Sequence, residues 1–222
     1  HYLLEHIKGE GFEEGGKLEY ILDNEVINDY CFICFLLGND FLPHLLNLNI
    51  DKDHVDHMLE TYYRILLEEG STLLNVRDNC VNLSFFRNFL EALGAEEDYD
   101  LEVKISSYYS RRLYTRGKTA YEKAISTHEM WPLTIRNKKR DKIRLDKPNW
   151  KLRYYPEKFN VHYGDSEGVE DIRSAYFKTI MWVYGYYFKT QCPSWDWAYP
   201  YLDPPAITDL VKYFKYDMNS VE

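Results

Sequence analysis

The stretch Cys31-Phe32-Ile33-Cys34-Phe35-Leu36-Leu37-Gly38-Asn39-Asp40-Phe41-Leu42-Pro43-His44 decides how the rest of the chain is read. Seven apolar residues, Cys31 to Leu37, run into Gly38 and Asn39. Glycine accepts a positive φ at no steric cost and asparagine tolerates it, so the pair predicts a helix end. Pro43 limits what can follow. The first charge after the apolar run is Asp40, placed at the edge of a core, where a carboxylate needs a cation or several hydrogen-bond donors. A hard divalent ion, Mg²⁺ or Mn²⁺, would supply that compensation. An ordinary turn or capping aspartate also fits the spacing.

Upstream, Asn24 to Leu37 reads as a helix capped by Asp23 or Asn24, with Ile27, Tyr30, Cys31, Cys34 and Leu37 on one side. Its other side is apolar too, which predicts a central helix buried all round. Downstream, a helix starting at Asp51 or Asp53 and running to Glu69 sets Val55, Met58, Leu59, Tyr62, Ile65 and Leu66 on one stripe, and Gly70 ends it. Thr72 to Val76 predicts a short strand. Ser84, or Asn82 one turn earlier, then caps a helix with Leu83, Phe86, Leu90 and Leu93 in line. Residues 108–126 carry a further helical pattern with Arg111, Arg112, Arg116, Lys118 and Lys123 among aromatics. Asp171 to Lys189 reads as a helix with Ile172, Tyr176, Ile180, Val183 and Tyr187 on one face, weakened at Gly185. Pro193 stops it, so Ser194-Trp195-Asp196-Trp197 must be a shaped loop. The chain is predominantly α with few short strands.

Charge is unevenly spread over the 222 residues, whose net charge is −9. Residues 1–110 hold 7 Lys and Arg against 22 Asp and Glu, whereas residues 111–159 hold 15 against 5. Seven of the basic residues lie in 136–147, among them Arg136, Lys138, Lys139 and Arg140. Such a run is either a solvated segment or a track for a nucleic-acid backbone, since Lys and Arg at this density displace condensed counterions whatever the base sequence. An acidic front beside a basic middle is compatible with a metal site next to such a track. The acidic break Ala95 to Asp100 marks a boundary, which divides the chain into a helical region 1–100, a basic connecting segment 101–149 and an aromatic-rich segment 150–222.

With 45% hydrophobic residues the chain can bury a substantial core. No run reaches the 18 or so apolar residues of a membrane span, and the opening His-Tyr-Leu-Leu-Glu-His has no signal-peptide character. These features point away from a membrane or secreted protein. The absence of an initial Met reads as a processed, truncated or partly resolved piece. Four cysteines do not make a disulfide framework at this size, which favours a reducing compartment, cytoplasmic or nuclear. Cys31 and Cys34 form a Cys-x-x-Cys without a second pair, so core packing is the simpler reading than zinc or redox chemistry.

Gly38-Asn39-Asp40-Phe41-Leu42-Pro43-His44 resembles the corresponding segment of the Xrn family, processive 5′→3′ exoribonucleases, and more distantly the Gly-x-Asp turn of flap-endonuclease-type, PIN-like nucleases. Two more segments match in order: Trp150-Lys151-Leu152-Arg153-Tyr154-Tyr155 with Lys158-Phe159, and Trp182 through Pro200 with Ser194-Trp195-Asp196-Trp197 and Tyr199-Pro200-Tyr201. Asp203-Pro204-Pro205 departs from the family's usual His-Tyr-Ala-Pro pattern. The resemblance covers Asn24 to Asp209. It implies the carboxyl-terminal portion of an α/β PIN-like, Xrn-type nuclease core, with Asp40 one of several acids that bind catalytic Mg²⁺ or Mn²⁺.

The implied activity is stepwise hydrolysis of 5′-monophosphorylated single-stranded RNA to mononucleotides. Trp182, Trp195 and Trp197 then read as stacking surfaces for unstacked bases or as core plugs, and Arg136, Lys138, Lys139 and Arg140 as backbone contacts. Two-metal hydrolysis needs several convergent carboxylates, and Asp40 alone is not enough. Asp29, Asp51 and Asp53 are its neighbours in sequence, without a pattern that makes them converge. No segment matches the family's amino-terminal half, so activity requires that portion on the same polypeptide or on a partner chain. The alternative is a non-catalytic, Xrn-derived RNA-binding or structural subunit.

Overall fold

The computed structural model describes residues 12, 14–48, 52–75, 78, 80–110, 118–122, 141–189 and 194–216. Among them the chain is helical with one two-stranded sheet: α1 (Asp23–Ile33), a 3₁₀ turn (Cys34–Leu37), α2 (Lys52–Glu69), β1 (Leu74–Asn75), β2 (Cys80–Val81), α3 (Leu83–Ala95), α4 (Glu97–Ser110), α5 (Lys151–Phe159), α6 (Ser166–Phe188) and α7 (Ile207–Tyr216). This agrees with the predominantly α reading with few strands. The chain divides into two compact units, one formed by residues 1–97 and 165–222 and the other by 98–164. Segments on both sides of the second unit therefore build the first.

In the first unit, the α1 face that enters the core carries Val26, Phe32 and Ile33. Phe32 meets Phe86 of α3 edge-on at 5.3 Å and Tyr184 of α6 at 5.8 Å, the geometry that the aromatic quadrupole favours. The expectation that α1 is buried all round is not met. Ile27 is 40% exposed and Cys31 is exposed, so the side defined by Ile27, Tyr30, Cys31 and Cys34 is the outer one, while Leu37, placed on the same side, is buried in the 3₁₀ turn. With both faces apolar, helical periodicity has no contrast from which to choose, and packing against α3 and α6 makes the choice.

Helix ends follow the local chemistry. The Asn82 side chain accepts from the Phe85 amide and caps α3, and the Asp165 side chain accepts from the Gly168 amide and caps α6. Gly70, with φ +69°, ends α2, and Lys17 Nζ donates to the Leu67 carbonyl at 2.7 Å and to the Glu68 carbonyl at the same end. The α7 start is capped by the buried Glu97, whose carboxylate accepts from the Ile207 amide at 2.6 Å and the Thr208 hydroxyl at 2.6 Å. Pro204 and Pro205 are buried just ahead of it. In α6 the inward row is Ile172, Tyr176, Ile180, Val183 and Tyr184; Tyr187, placed on this row by the periodicity, is 56% exposed. Gly185 lies inside the helix without interrupting it.

The second unit is organised by the Trp150 to Phe159 motif. Trp150, Tyr154, Tyr155 and Phe159 are buried, and Trp150 Nε1 donates to Asp98 at 2.7 Å. Arg153 directs its guanidinium at the main chain of the preceding loop, donating to the carbonyls of Ile143, Arg144, Lys147, Pro148 and Asn149 at 2.6–3.2 Å. Those five contacts hold a loop in which Arg144 and Asn149 both take positive φ. Arg144 also grips Asp146 through two bonds of 2.8 and 2.9 Å, which lowers the Asp146 carboxyl below its ordinary range. The basic residues Arg136, Lys138, Lys139 and Arg140, and Arg111, Arg112, Arg116 and Lys123, lie outside the described residues.

Candidate functional site

The α1 helix tightens into the 3₁₀ turn and stops at Gly38, whose φ is +91°. A Cβ there would stand 2.9 Å from the His44 amide nitrogen, so glycine is required on both conformational and steric grounds. Asn39 then holds the next three residues. Its side-chain oxygen accepts from the Phe41 and Leu42 amides at 2.9 and 3.1 Å, and its own amide donates to the Leu42 carbonyl at 2.9 Å. The apex of this turn is Asp40, which is exposed.

On either side of the apex the turn is anchored in the first unit. Leu42 and Leu45 are buried, and Tyr176 donates its hydroxyl to the Pro43 carbonyl at 2.8 Å. Phe41 lies 4.9 Å from the Trp182 ring and 5.1 Å from Tyr186. Trp182 stacks on Tyr186 at 5.5 Å with the planes 7° apart, and its Nε1 donates to the Ser194 carbonyl at 2.7 Å. Trp195, 72% exposed, meets both rings edge-on at 6.1 and 6.3 Å. An exposed carboxylate thus adjoins an aromatic cluster with one open Trp.

The three tryptophans separate. Trp182 and Trp195 belong to the cluster beside Asp40. Trp197 is held elsewhere, donating to Thr179 Oγ1 at 3.1 Å beneath Lys178, whose Nζ stands 3.8 Å from the ring centre. Trp182 is half-buried with its indole N–H engaged, so its packing role is direct. Only Trp195 of the three offers most of its surface to a ligand.

Asp29 is brought nowhere near solvent. It is fully buried in α1 and accepts from the Tyr62 hydroxyl and from the Leu73 and Leu74 amides, each at 2.7 Å. Burial pushes its carboxyl up to about 7, against those three donors, with Glu25 adding to the rise. Tyr62 is pushed up as well, by burial and by the Asp29 charge. Asp29 therefore joins α1, α2 and β1. Its spacing of eleven residues before Asp40 gave no sign of this task; the one signal was a charge inside an apolar helix.

Beside the turn, between α1 and the end of α6, an open cleft of about 570 Å³ is lined by Tyr30, Cys31, Cys34, Phe35, Asn39, Tyr187 and Phe188. The Cys34 thiol is pushed up by burial, which lowers its nucleophilicity at neutral pH. The described residues include no group of three or more His, Cys, Asp or Glu able to hold a metal ion. Asp40 is a single candidate ligand, and these residues do not by themselves make a metal site. Among the described residues no helix is long and apolar enough to cross a membrane.

Comparison with known proteins adds the following. A family model described as the Xrn1 helical domain matches residues 20–130 and 108–220. The chain is 26% identical over 225 residues to a 5′-3′ exoribonuclease 2 homolog of Drosophila melanogaster, covering 83% of this chain and 24% of that protein. It is 25% identical to 5′-3′ exoribonuclease 2 of Gallus gallus, covering 83% of this chain and 26% of the relative. To 5′-3′ exoribonuclease 1 of Homo sapiens it is 27% identical, covering 87% of this chain and 13% of the relative. The chain spans about a quarter or less of the length of these relatives.

Proposed function

This chain belongs to the Xrn family, matching its helical-domain model over residues 20–130 and 108–220, and we propose that it serves as part of a 5′→3′ exoribonuclease acting on 5′-monophosphorylated single-stranded RNA. The observation that carries the reading is the join between the Asp40 turn and the Trp182–Trp195 cluster through Phe41. Through Phe41 and Trp182 it links the turn that carries an acidic group able to take part in phosphodiester chemistry to an exposed indole on which an unpaired base can stack, worth about 1–3 kcal/mol per base. Asn39 and Gly38 fix where the Asp40 main chain points, and Phe41 keeps the turn seated on α6.

Mg²⁺ or Mn²⁺ is the cofactor proposed for this chemistry, with Asp40 as one ligand. The further carboxylates come from outside the described residues, on the same polypeptide or on a partner chain. Trp182 acts mainly by shaping the wall of the strand's path and Trp195 by touching the strand. The basic run of Arg136, Lys138, Lys139 and Arg140 is proposed as a backbone contact, which makes binding sensitive to salt.

The test is Mg²⁺-dependent degradation of 5′-monophosphorylated RNA by the full-length protein, with 5′-hydroxyl RNA and Asp40→Asn as controls. Degradation that needs the 5′-phosphate and falls more than about 100-fold in Asp40→Asn, with an unchanged melting midpoint, is the expected result; loss of even an outer partner of a metal ligand acts on that scale. Wild-type rates in Asp40→Asn would overturn it. RNA retention without degradation would favour the alternative, a non-catalytic RNA-binding or structural subunit, which the lack of a group of three or more metal-holding side chains among the described residues supports.

A further inference from the structure

We infer that Thr179 is the positioning residue for Trp195: its hydroxyl, acting through Trp197, holds the loop on α6 so that the open Trp195 ring is presented to a base of single-stranded RNA. The RNA half of this statement rests on the reading of Trp195 given above; the positioning half rests on the geometry of the loop.

The loop that follows Pro193 runs antiparallel along one stripe of α6. Trp182 Nε1 donates to the Ser194 carbonyl at 2.7 Å, Trp197 Nε1 donates to Thr179 Oγ1 at 3.1 Å, and Tyr199 meets Tyr176 edge-on at 5.5 Å. Positions 176, 179 and 182 of the helix are spaced by three, so their side chains share one side. Each tie along the loop therefore falls about one turn nearer the start of α6. Trp195 lies between the first two ties, and the Asp196 amide donates across it to Ser194 Oγ at 3.2 Å. Its main chain is thus fixed on both sides while its ring is 72% exposed.

Thr179 governs the second tie because its hydroxyl has one orientation. The side chain is 1% exposed, and Oγ1 donates its single hydrogen to the Ala175 carbonyl at 2.7 Å, one turn back in the helix. A hydroxyl so engaged presents only lone pairs, and the indole N–H of Trp197 is a donor only, so the two are matched. Lys178, exposed, covers a face of the same indole with its Nζ 3.8 Å from the ring centre. Trp197 is the peg, and Thr179 is the hole that receives its N–H.

Thr179 is too deeply buried to touch a nucleic acid, so any effect it has on RNA passes through the loop. A ring held in place beforehand gives up less freedom when a base stacks on it than a ring on a loose loop, and this difference appears as affinity.

The test uses Thr179→Val in the full-length protein, which keeps the size of the side chain and removes the hydroxyl. Amide hydrogen exchange of peptides spanning residues 194–199 reports the loop, and fluorescence anisotropy reports binding of single-stranded RNA. Exchange there should become faster by about threefold or more, since the segment opens more readily. The Kd for RNA should rise by about threefold through lost preorganisation. Thr179→Ser, which keeps the hydroxyl, should restore both.

In a Trp195→Ala background, Thr179→Val should have no further effect on the Kd, because two residues that act through one ring are not additive. Any general loss of stability is common to the two backgrounds and cancels in the comparison. Weakening by the same factor in both backgrounds would mean a merely structural role and would overturn the inference, as would wild-type exchange of the loop in Thr179→Val. Wild-type affinity in Trp195→Ala, with faster exchange in Thr179→Val, would remove the base-contact reading and leave Thr179 as the residue that positions the loop. Weakened binding in Trp195→Ala, with wild-type exchange and affinity in Thr179→Val, would do the reverse.

Discussion

Two aspartates on one short segment have opposite environments. Asp29 lies in the middle of α1, buried, with three donors at 2.7 Å; Asp40 tops an exposed turn whose bonds all run through its neighbours. The first carboxylate is consumed by the fold, since it joins two helices to a strand. The second is left free of the fold's demands while its main chain is fixed by Asn39, Phe41 and Pro43. The contrast teaches that a carboxylate available for chemistry is recognised by how its neighbours are held, and not by its closeness in sequence to other acids.

The same substitution at both positions gives the sharpest division. Asp29→Asn should cost about 3 kcal/mol, because an amide can face at most two of the three donors with its oxygen and turns N–H toward the third; urea unfolding measures it. Asp40→Asn should change stability by less than about 0.5 kcal/mol, as surface substitutions do. Equal costs at the two sites would erase the distinction.

Next in size is the dependence on pH. The folded-state carboxyl of Asp29 is raised above its unfolded value of 3.8 to about 7. Between those values the native state binds the extra proton, so this contribution is fully present below about 3.8 and is lost as pH rises through about 7. From pH 5 to pH 8 it should fall by roughly 2–3 kcal/mol. Asp29→Asn should therefore cost more at pH 5 than at pH 8, and a cost that grows with pH would contradict the burial-driven rise.

Gly38→Val probes the support of the other carboxylate. A branched residue at φ +91°, with its Cβ 2.9 Å from the His44 nitrogen, should destabilise by about 2 kcal/mol. The turn should also be displaced, seen as faster amide exchange at Phe41 and Leu42, whose N–H groups Asn39 holds. Wild-type exchange at those two amides would mean that the turn does not depend on Gly38. The smallest effect belongs to the aromatic wall. Trp195→Ala should weaken single-stranded RNA binding by about 1 kcal/mol with stability unchanged, and Trp197→Ala should weaken it less, since Trp197 is engaged by Thr179 and Lys178. Fluorescence anisotropy with labelled RNA ranks the two.

Much of this was readable from the chain. The end of the apolar run at Gly38, the cap at Asn82, the stop at Gly70 and the helical stripes of α2 and α3 follow from rules that act over three or four residues. Where a helix was apolar on both sides the reading failed: the row chosen for α1 is its outer one, and Tyr187 in α6 faces out. The role of Arg153 was equally hidden, since a single arginine in an aromatic motif gives no indication that five carbonyls from residues 143–149 turn toward it.

By itself, then, the sequence determined some local events and the family: the cap at Asn82, the stops at Gly38 and Gly70, the glycine at the Asp40 turn, and the ordered motifs that mark an Xrn relative, whereas the expected cap of α1 at Asp23 or Asn24 falls inside the helix, which starts after Leu22. Tertiary structure alone decided that Asp29 is structural, that Phe41 joins the turn to Trp182, that Trp195 and not Trp197 is the open ring, and that α1 keeps an apolar face outward. The physical reason is range. Local capping and backbone strain depend on neighbours in the chain, whereas burial and ring contacts depend on residues far along it, up to the 133 positions across which Tyr176 reaches Pro43.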